Sequence, residues 1–351
     1  MIRNEISTSE PLRILYIGHA GEGSNACSLY KGFMDAQNRV FLVDTKIFYS
    51  IRKYSVRNLI IHLFPKFYIF CASKLIGLTI AFRVRINQPD ILFVFKGDFV
   101  SSKTLERIRI PKFHYHPDDS SNPDNRTFIF DQAEKFYDLH ITSKSHNLDE
   151  IYLRTGKPVR FVWYAYDPEW HFRSPNFDFR NRKYVLGLIG NYRFSRANLI
   201  TRIASVYGHS FAIAGIRWDK IKLLRNKVTL LGPKYGRSYS DFIAEAPIQL
   251  GVLNSENRDQ HTARSFEVPA CGGLLIAEDT LEHRVLFEQK NGALFFRSEN
   301  HLFELLEWVE RNPDEAHNIA QNGYDLITKG KNTWKDRAIL ISAFYQELFA
   351  Q

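Results

Sequence analysis

Short apolar runs bounded by turn residues alternate with segments of helical period along most of the chain. The run 12–18, LRILYIG, is too short for a helix and stops at a glycine, so it predicts a buried strand. A polar loop at 19–25 leads to a helical pattern over 26–36 and then to a second strand at 39–44, RVFLVD. Strand, loop, helix and strand in that order open a doubly wound domain. Further strands are predicted at 91–95, 112–116, 139–143 and 159–163.

A second series begins at 184–190, YVLGLIG, and continues at 211–215, 228–232, 248–253, 274–277 and 293–296. Helical patterns fall between them at 197–207, 239–246, 264–271, 301–311 and 313–329, and an amphipathic segment over 334–349 closes the chain. Segment 167–182 is rich in Pro, Asn, Arg and aromatics and lacks periodicity, which predicts a linker. Two domains are expected in any case, because single cores stop growing near ~250–300 residues. Their predicted bounds are 1–172 and 183–332, with 333–351 a helix packing back towards the first domain. No short repeat or low-complexity segment interrupts the pattern.

Composition changes this picture little. Hydrophobic residues make up 44% and charged residues 24%, as in an ordinary globular protein. Cys27, Cys71 and Cys271 are odd in number and far apart, so neither a disulfide framework nor a zinc spacing fits, and a reducing compartment is expected. The polar first residues predict no cleavable signal peptide, and the greasy stretch 58–82 is interrupted by His62, Pro65, Lys66, Ser73 and Lys74, which argues against a membrane span. The expected location is cytoplasmic.

Charge adds more. The net formal charge of +9 favours phosphate-bearing partners. Between 46 and 87 there is no Asp or Glu, while Lys46, Arg52, Lys53, Arg57, Lys66, Lys74, Arg83 and Arg85 stand among aromatics such as Tyr54, Phe67, Phe70 and Phe82. Two readings remain open: a pair of amphipathic helices packed on a sheet, or peripheral contact with an anionic membrane through 46–86.

The densest chemical signal is 264–278, RSFEVPACGGLLIAE. It predicts a short helix carrying Glu267, distorted by Pro269, a glycine stop and a buried strand. Thr262 or Ser265 is placed to cap that helix, leaving backbone N–H groups for a diphosphate. Arg193 and Arg196 follow Gly190 directly after a predicted strand, where cations can neutralise a phosphate leaving group.

The block RSFEVPACGG closely resembles the donor-sugar motif of group-1 glycosyltransferases, in the spore-maturation-type branch. The resemblance extends from about Tyr184 to the C-terminus and is only topological before it. It implies an α/β, GT-B fold: two Rossmann-like doubly wound parallel-sheet domains facing across a cleft, the second binding the donor. It also implies a retaining transferase that moves a sugar from a nucleotide-diphosphate donor to an acceptor hydroxyl, with no metal and no cofactor beyond the donor substrate. By the same resemblance Glu267 holds the donor ribose. Asp259, eight positions earlier, stands where relatives carry a glutamate on the hexose hydroxyls; Glu256 and Asn257 are alternatives to this shorter side chain. The phosphate clamp falls to Arg193 or Arg196 near Gly190, with Arg264, Lys220 or Lys234 as a further cation.

In the first half, the glycines of 18–23 miss the G-x-G-x-x-G register, so nicotinamide binding is not expected. His19 and Asn25 are possible sugar contacts from that loop. His114 and His116 share a strand face ahead of Asp118 and Asp119, and His116 is a candidate catalytic group or sugar-orienting side chain. The basic-aromatic segment points to a lipid-linked or envelope glycan acceptor. The rival readings are a sugar-nucleotide epimerase or hydrolase using His116 as base, a non-catalytic module of the same fold, and a polyanion binder without specific nucleic-acid recognition.

Overall fold

The computed structural model describes residues 10–49, 63–287 and 291–349. Arg52, Lys53, Tyr54 and Arg57 of the basic segment lie outside them. The chain forms two compact units, one comprising 1–163 with 334–351 and the other 164–333.

The first unit carries a six-stranded parallel sheet. Its strands are β1 (Arg13–Gly18), β2 (Arg39–Asp44), β3 (Ile91–Phe95), β4 (Lys112–His116), β5 (Leu139–Thr142) and β6 (Val159–Phe161), in the order β2-β1-β3-β4-β5-β6. Of the interior strands, β3 reads as an unbroken apolar run, as a strand covered by helices on both faces does, whereas β4 and β5 carry buried histidines. Ile91, Leu92, Phe93 and Val94 are fully buried. Helix α1 (Asn25–Asp35) starts at Ser24, whose hydroxyl accepts from the Cys27 N–H. A short α2 (Lys46–Tyr49) follows β2.

The greasy stretch is one helix from its proline onward. Helix α3 (Pro65–Asn87) begins with Pro65 in its first turn, where the missing N–H costs nothing. Ser73 faces inward and Lys74 outward, so residues that interrupt the hydropathy run do not interrupt the helix. Smaller helices α4 (Ser102–Arg107), α5 (Phe128–Ala133) and α6 (Asn147–Thr155) join the later strands. The closing helix of the chain packs on α1 so tightly that a Cβ on Gly32 would sit 2.5 Å from the Trp334 carbonyl oxygen.

The second unit holds another six-stranded parallel sheet. Its strands are β7 (Leu186–Ile189), β8 (Phe211–Ala214), β9 (Thr229–Leu231), β10 (Ile248–Gly251), β11 (Leu274–Glu278) and β12 (Leu294–Phe296), in the order β12-β11-β10-β7-β8-β9. Helices α7 (Ala197–Tyr207), α8 (Lys222–Arg225), α9 (Arg237–Glu245), α10 (Arg264–Ala270), α11 (Leu281–Phe287), α12 (Glu299–Arg311) and α13 (Pro313–Lys329) belong with it. The closing helix is α14 (Trp334–Phe349). The chain runs from β7 out to β9 and returns to β10 on the other side of β7. That reversal makes the carboxyl ends of β7 and β10 the switch point, where open α/β sheets bind ligands.

The expected linker is part of this second unit. Trp170, His171, Ser174 and Phe179 are buried in it, and Ser174 Oγ donates to Asp241 Oδ1 at 2.9 Å. An aperiodic segment can pack when side-chain hydrogen bonds replace the regular ladder.

Four buried histidines make the fold less stable in acid. Burial lowers His114, His116 and His140, the last to about 3, and lowers His283 to about 4. An unfolded imidazole takes up its proton near 6.5, so the unfolded chain binds more protons from there downward. The stability that rests on the histidines' neutral state is therefore complete above pH 6.5 and is lost as pH falls towards their lowered values. The His283 shift alone corresponds to about 3 kcal/mol at the acid end. Urea unfolding between pH 4 and 8 tests this; a flat profile below pH 6.5 contradicts it.

Candidate functional site at the switch point of the second unit

The carboxyl ends of β7 and β10 expose carbonyls that need donors, and Arg264 supplies them. From the first residue of α10 its Nη1 donates to the Ile189 carbonyl (3.0 Å) and its Nη2 to the Val252 carbonyl (3.1 Å). One planar guanidinium thus spans the crevice between the two central strands. Gly190 is required beside it: its φ is +154°, and a Cβ there would lie 2.4 Å from Arg264 Nη1. Trp218 Nε1 donates to the Gly190 carbonyl at 2.7 Å.

Arg196 is the second guanidinium of the crevice. It is 5% exposed, and its Nε donates to the Leu253 carbonyl at 3.2 Å, leaving the terminal nitrogens for other acceptors. Leu253 N–H donates in turn to Glu278 Oε1 (3.0 Å), so the backbone just past β10 is clamped from both sides. Burial, then the Arg264 charge, push Arg196 down to about 9 from its ordinary value, against the pull of Asp259 and Glu278. Two adjacent guanidiniums at a switch point form a site that gains from an anion.

Arg193 lies at the exposed edge, with Nη1 3.9 Å from Glu256 Oε2. Asp259 folds back on its own loop: its N–H donates to the Asn254 carbonyl (3.2 Å), and its Oδ2 accepts from the Asn254 N–H (3.4 Å). Lys220 is exposed and Lys234 half-buried.

Glu267 sits one helical turn after Arg264. Its Oε2 accepts from the Tyr239 hydroxyl of α9 at 3.0 Å. Its Oε1 lies 3.7 Å from His171 Nε2. The Asp167 N–H donates to His171 Nδ1 (3.0 Å), which leaves the ring proton on Nε2, facing the carboxylate. Burial, then the Glu267 charge, hold the Tyr239 hydroxyl well above its ordinary value, so it stays a donor. Sequence reasoning missed both supports. Only the hydrogen-bonding types of Tyr239 and His171 were visible, because their meeting with Glu267 depends on tertiary packing.

The expected caps are corrected. Helix α10 starts after Ala263, and no side chain caps it. Ser265 is 2% exposed; its hydroxyl accepts from the Thr262 N–H at 3.2 Å and pairs with His283 Nε2 at 2.9 Å. His283 Nδ1 lies 2.8 Å from the Glu278 carbonyl, so the histidine donates there and accepts from Ser265. The Ser265 hydroxyl thus ties α10 to α11. Thr262 Oγ1 lies 3.4 Å from Arg264 Nε and helps hold the guanidinium.

Pro269 lies inside α10, and the helix ends on schedule. Gly272, at φ +85°, closes it while the Gly273 N–H bonds the Val268 carbonyl at 3.0 Å. Arg173 covers that turn, its Nε 2.6 Å from where a Gly272 Cβ would be. Cys271 is inert: burial pushes its thiol up to about 12.

In the first unit, His116 is 1% exposed. Its Nδ1 donates to the Asp118 carbonyl (2.9 Å), and burial lowers it, so it is neutral. Its Nε2 lone pair has no hydrogen-bond partner among the described residues. His114 pairs with His140 at 3.1 Å and with the Lys96 carbonyl at 3.1 Å, as a core histidine does. Asp44 accepts from the Ala20 and Lys46 N–H groups, which commits it to shaping the 18–23 loop. Among the described residues, no group of three or more His, Cys, Asp or Glu is placed to hold a metal ion.

Comparison with known proteins places this geometry in a family setting. Residues 195–343, which include Arg196, Asp259, Arg264 and Glu267, match the family model described as glycosyl transferase-like. Sucrose-phosphate synthase from Thermosynechococcus elongatus superposes with a TM-score of 0.66 at 13% identity, over 97% of this chain and 99% of that one. Anabaena HepE, solved in complex with UDP, gives 0.60 at 12% identity, over 96% and 100%. The fold is GT-B. An alpha-glucosyltransferase solved with UDP-glucose and DNA containing an abasic site gives 0.62 at 14% identity, over 96% and 99%. No match was found among curated protein sequences.

Proposed function

We propose that the protein is a glycosyltransferase whose second unit binds a nucleotide-diphosphate sugar at the β7–β10 switch point. One observation carries the reading: half-buried Arg264 and buried Arg196 lie side by side on the strand-end carbonyls, one helical turn from a carboxylate fixed by Tyr239 and His171. Guanidiniums suit a diphosphate and a fixed carboxylate suits vicinal hydroxyls, so the pair matches a nucleoside diphosphate. The glycosyl transferase-like match over these residues, and neighbours solved with UDP and UDP-glucose, support it.

In this reading Glu267 accepts from the ribose hydroxyls. Arg264 and Arg196, with Arg193 at the rim, stabilise the negative charge that grows on the leaving diphosphate. Asp259 faces the hexose and orients its hydroxyls. Retention at the anomeric carbon follows from the resemblance to the retaining branch: the C–O bond to the leaving phosphate breaks as the acceptor oxygen bonds on the same face. A departing phosphate oxygen takes the acceptor proton. His116 is assigned to orienting a sugar hydroxyl through its Nε2 lone pair, and the reaction uses no metal.

The test is incubation with uridine, guanosine, adenosine and thymidine diphosphate hexoses, with and without glycan and lipid-linked glycan acceptors. The expected result is acceptor-dependent release of one nucleoside diphosphate and a product with the donor's anomeric configuration by NMR. Release without acceptor, or a sugar epimerised on its nucleotide, contradicts the transferase reading.

A further inference from the structure

The helix α3 presents apolar side chains on two opposite sides, and the fold uses only one of them. Ala72, Ser73, Ile76 and Ile80 are buried against the first unit. On the other side Phe67, Phe70, Leu75, Leu78, Phe82 and Ile86 are 49–71% exposed. They recur at steps of three, four and five along the helix and so form one continuous stripe rather than scattered exposed residues. The helix has a mean hydropathy of 1.6 over its most apolar window, of which 22% is buried.

Its charges are all of one sign. Lys66, Lys74, Arg83 and Arg85 are exposed, and no Asp or Glu occurs between 65 and 87. The Lys74 ammonium lies 5.3 Å from the Phe70 ring centroid, and Lys74 stands four residues from both Phe70 and Leu78, on the same side of the helix. A second copy of the chain on this face would bring those cations against their own equivalents with no acid on the helix to pair them. A surface of anionic phospholipid complements both the stripe and the charge.

We propose that the outward face of α3 seats the first unit on an anionic bilayer, the helix lying in the plane of the interface. Spanning is excluded while the unit is folded, because Ala72, Ser73, Ile76 and Ile80 hold the helix against it. The apolar stripe enters the acyl boundary, and Lys66, Lys74, Arg83 and Arg85 remain at headgroup level. This surface lies in a different unit from the donor site, so the two proposals can fail separately.

The experiment is co-sedimentation of the full chain with phosphatidylcholine vesicles, with and without about one-third phosphatidylglycerol. The expected result is binding to the anionic vesicles alone, weakened by salt. The double variant Leu78→Glu with Phe82→Glu is expected to lose at least tenfold in vesicle affinity, with unchanged thermal unfolding and nucleotide binding. Lys74→Glu with Arg83→Glu, which leaves the apolar stripe intact, is expected to lose the preference for anionic lipid. Undiminished binding by both variants overturns the proposal. So does absence of wild-type binding, including the case of a wild-type dimer that Leu78→Glu makes monomeric.

Discussion

Glu267→Ala is expected to lose at least a hundredfold in affinity for the nucleoside diphosphate while the protein remains folded. Glu267 is 14% exposed at its side chain, and its two oxygens are already oriented by Tyr239 and His171. A ligand that donates to this carboxylate meets a fixed acceptor and incurs little ordering cost. A charged hydrogen bond contributes about 1.5–3 kcal/mol, and the two ribose hydroxyls make two such bonds. Alanine also leaves the Tyr239 hydroxyl without its acceptor, so about 1–3 kcal/mol of stability goes with it. Calorimetric titration beside urea unfolding separates the two effects. Tyr239→Phe checks the support: it removes the hydroxyl donor and spares the carboxylate, so affinity falls less than in Glu267→Ala. If Glu267→Ala binds as the wild type does, the carboxylate has no ligand role.

Arg264→Met is expected to be as damaging to binding and more damaging to the fold. The guanidinium donates to Ile189 and Val252 across the switch point, and methionine leaves both carbonyls without that donor. The cost is about 1–3 kcal/mol for each carbonyl deprived of a partner. The loss of one of two adjacent cations removes a further charge-assisted contact to a diphosphate, about a hundredfold in affinity. Arg264→Lys keeps the charge but cannot span both carbonyls with one planar fork, so it is expected to recover only part of the binding. Nucleoside monophosphate and diphosphate titrations check the assignment. In the variant, the diphosphate should lose its advantage over the monophosphate; an unchanged ratio contradicts a phosphate role.

Much of the fold was legible because parallel strands are short apolar-rich runs bounded by turn residues. The runs at 39–44, 91–95 and 112–116 coincide with β2, β3 and β4, and the helical pattern at 313–329 coincides with α13. Helix α3 was not legible as one element. Lys66 and Lys74 break a hydropathy run, but a helix wound along a surface simply turns them outward. Segment 167–182 failed as a linker because burial of irregular chain depends on partners that sequence does not name. The Phe172 N–H bonds Ser240 Oγ at 3.2 Å, a contact between residues 68 apart.

The candidate site divides the same way. Glu267 and the arginines stood out by type and place, whereas their directions were set elsewhere. Ser265 turns inward because His283 waits there, and Arg196 is buried because the Leu253 carbonyl needs a donor. Arg264 looked like one further cation in the sequence. The reversal of strand order between β7 and β10 makes it the residue that bridges the crevice.

The most direct measurement is a calorimetric titration of the full chain with uridine, guanosine, adenosine and thymidine diphosphates, repeated on Glu267→Ala and Arg264→Lys. Saturable binding of one nucleotide at a single site, lost in the first variant and weakened in the second, is the predicted result. No binding by any of the four, or binding indifferent to both substitutions, would contradict a donor site at the switch point of the second unit.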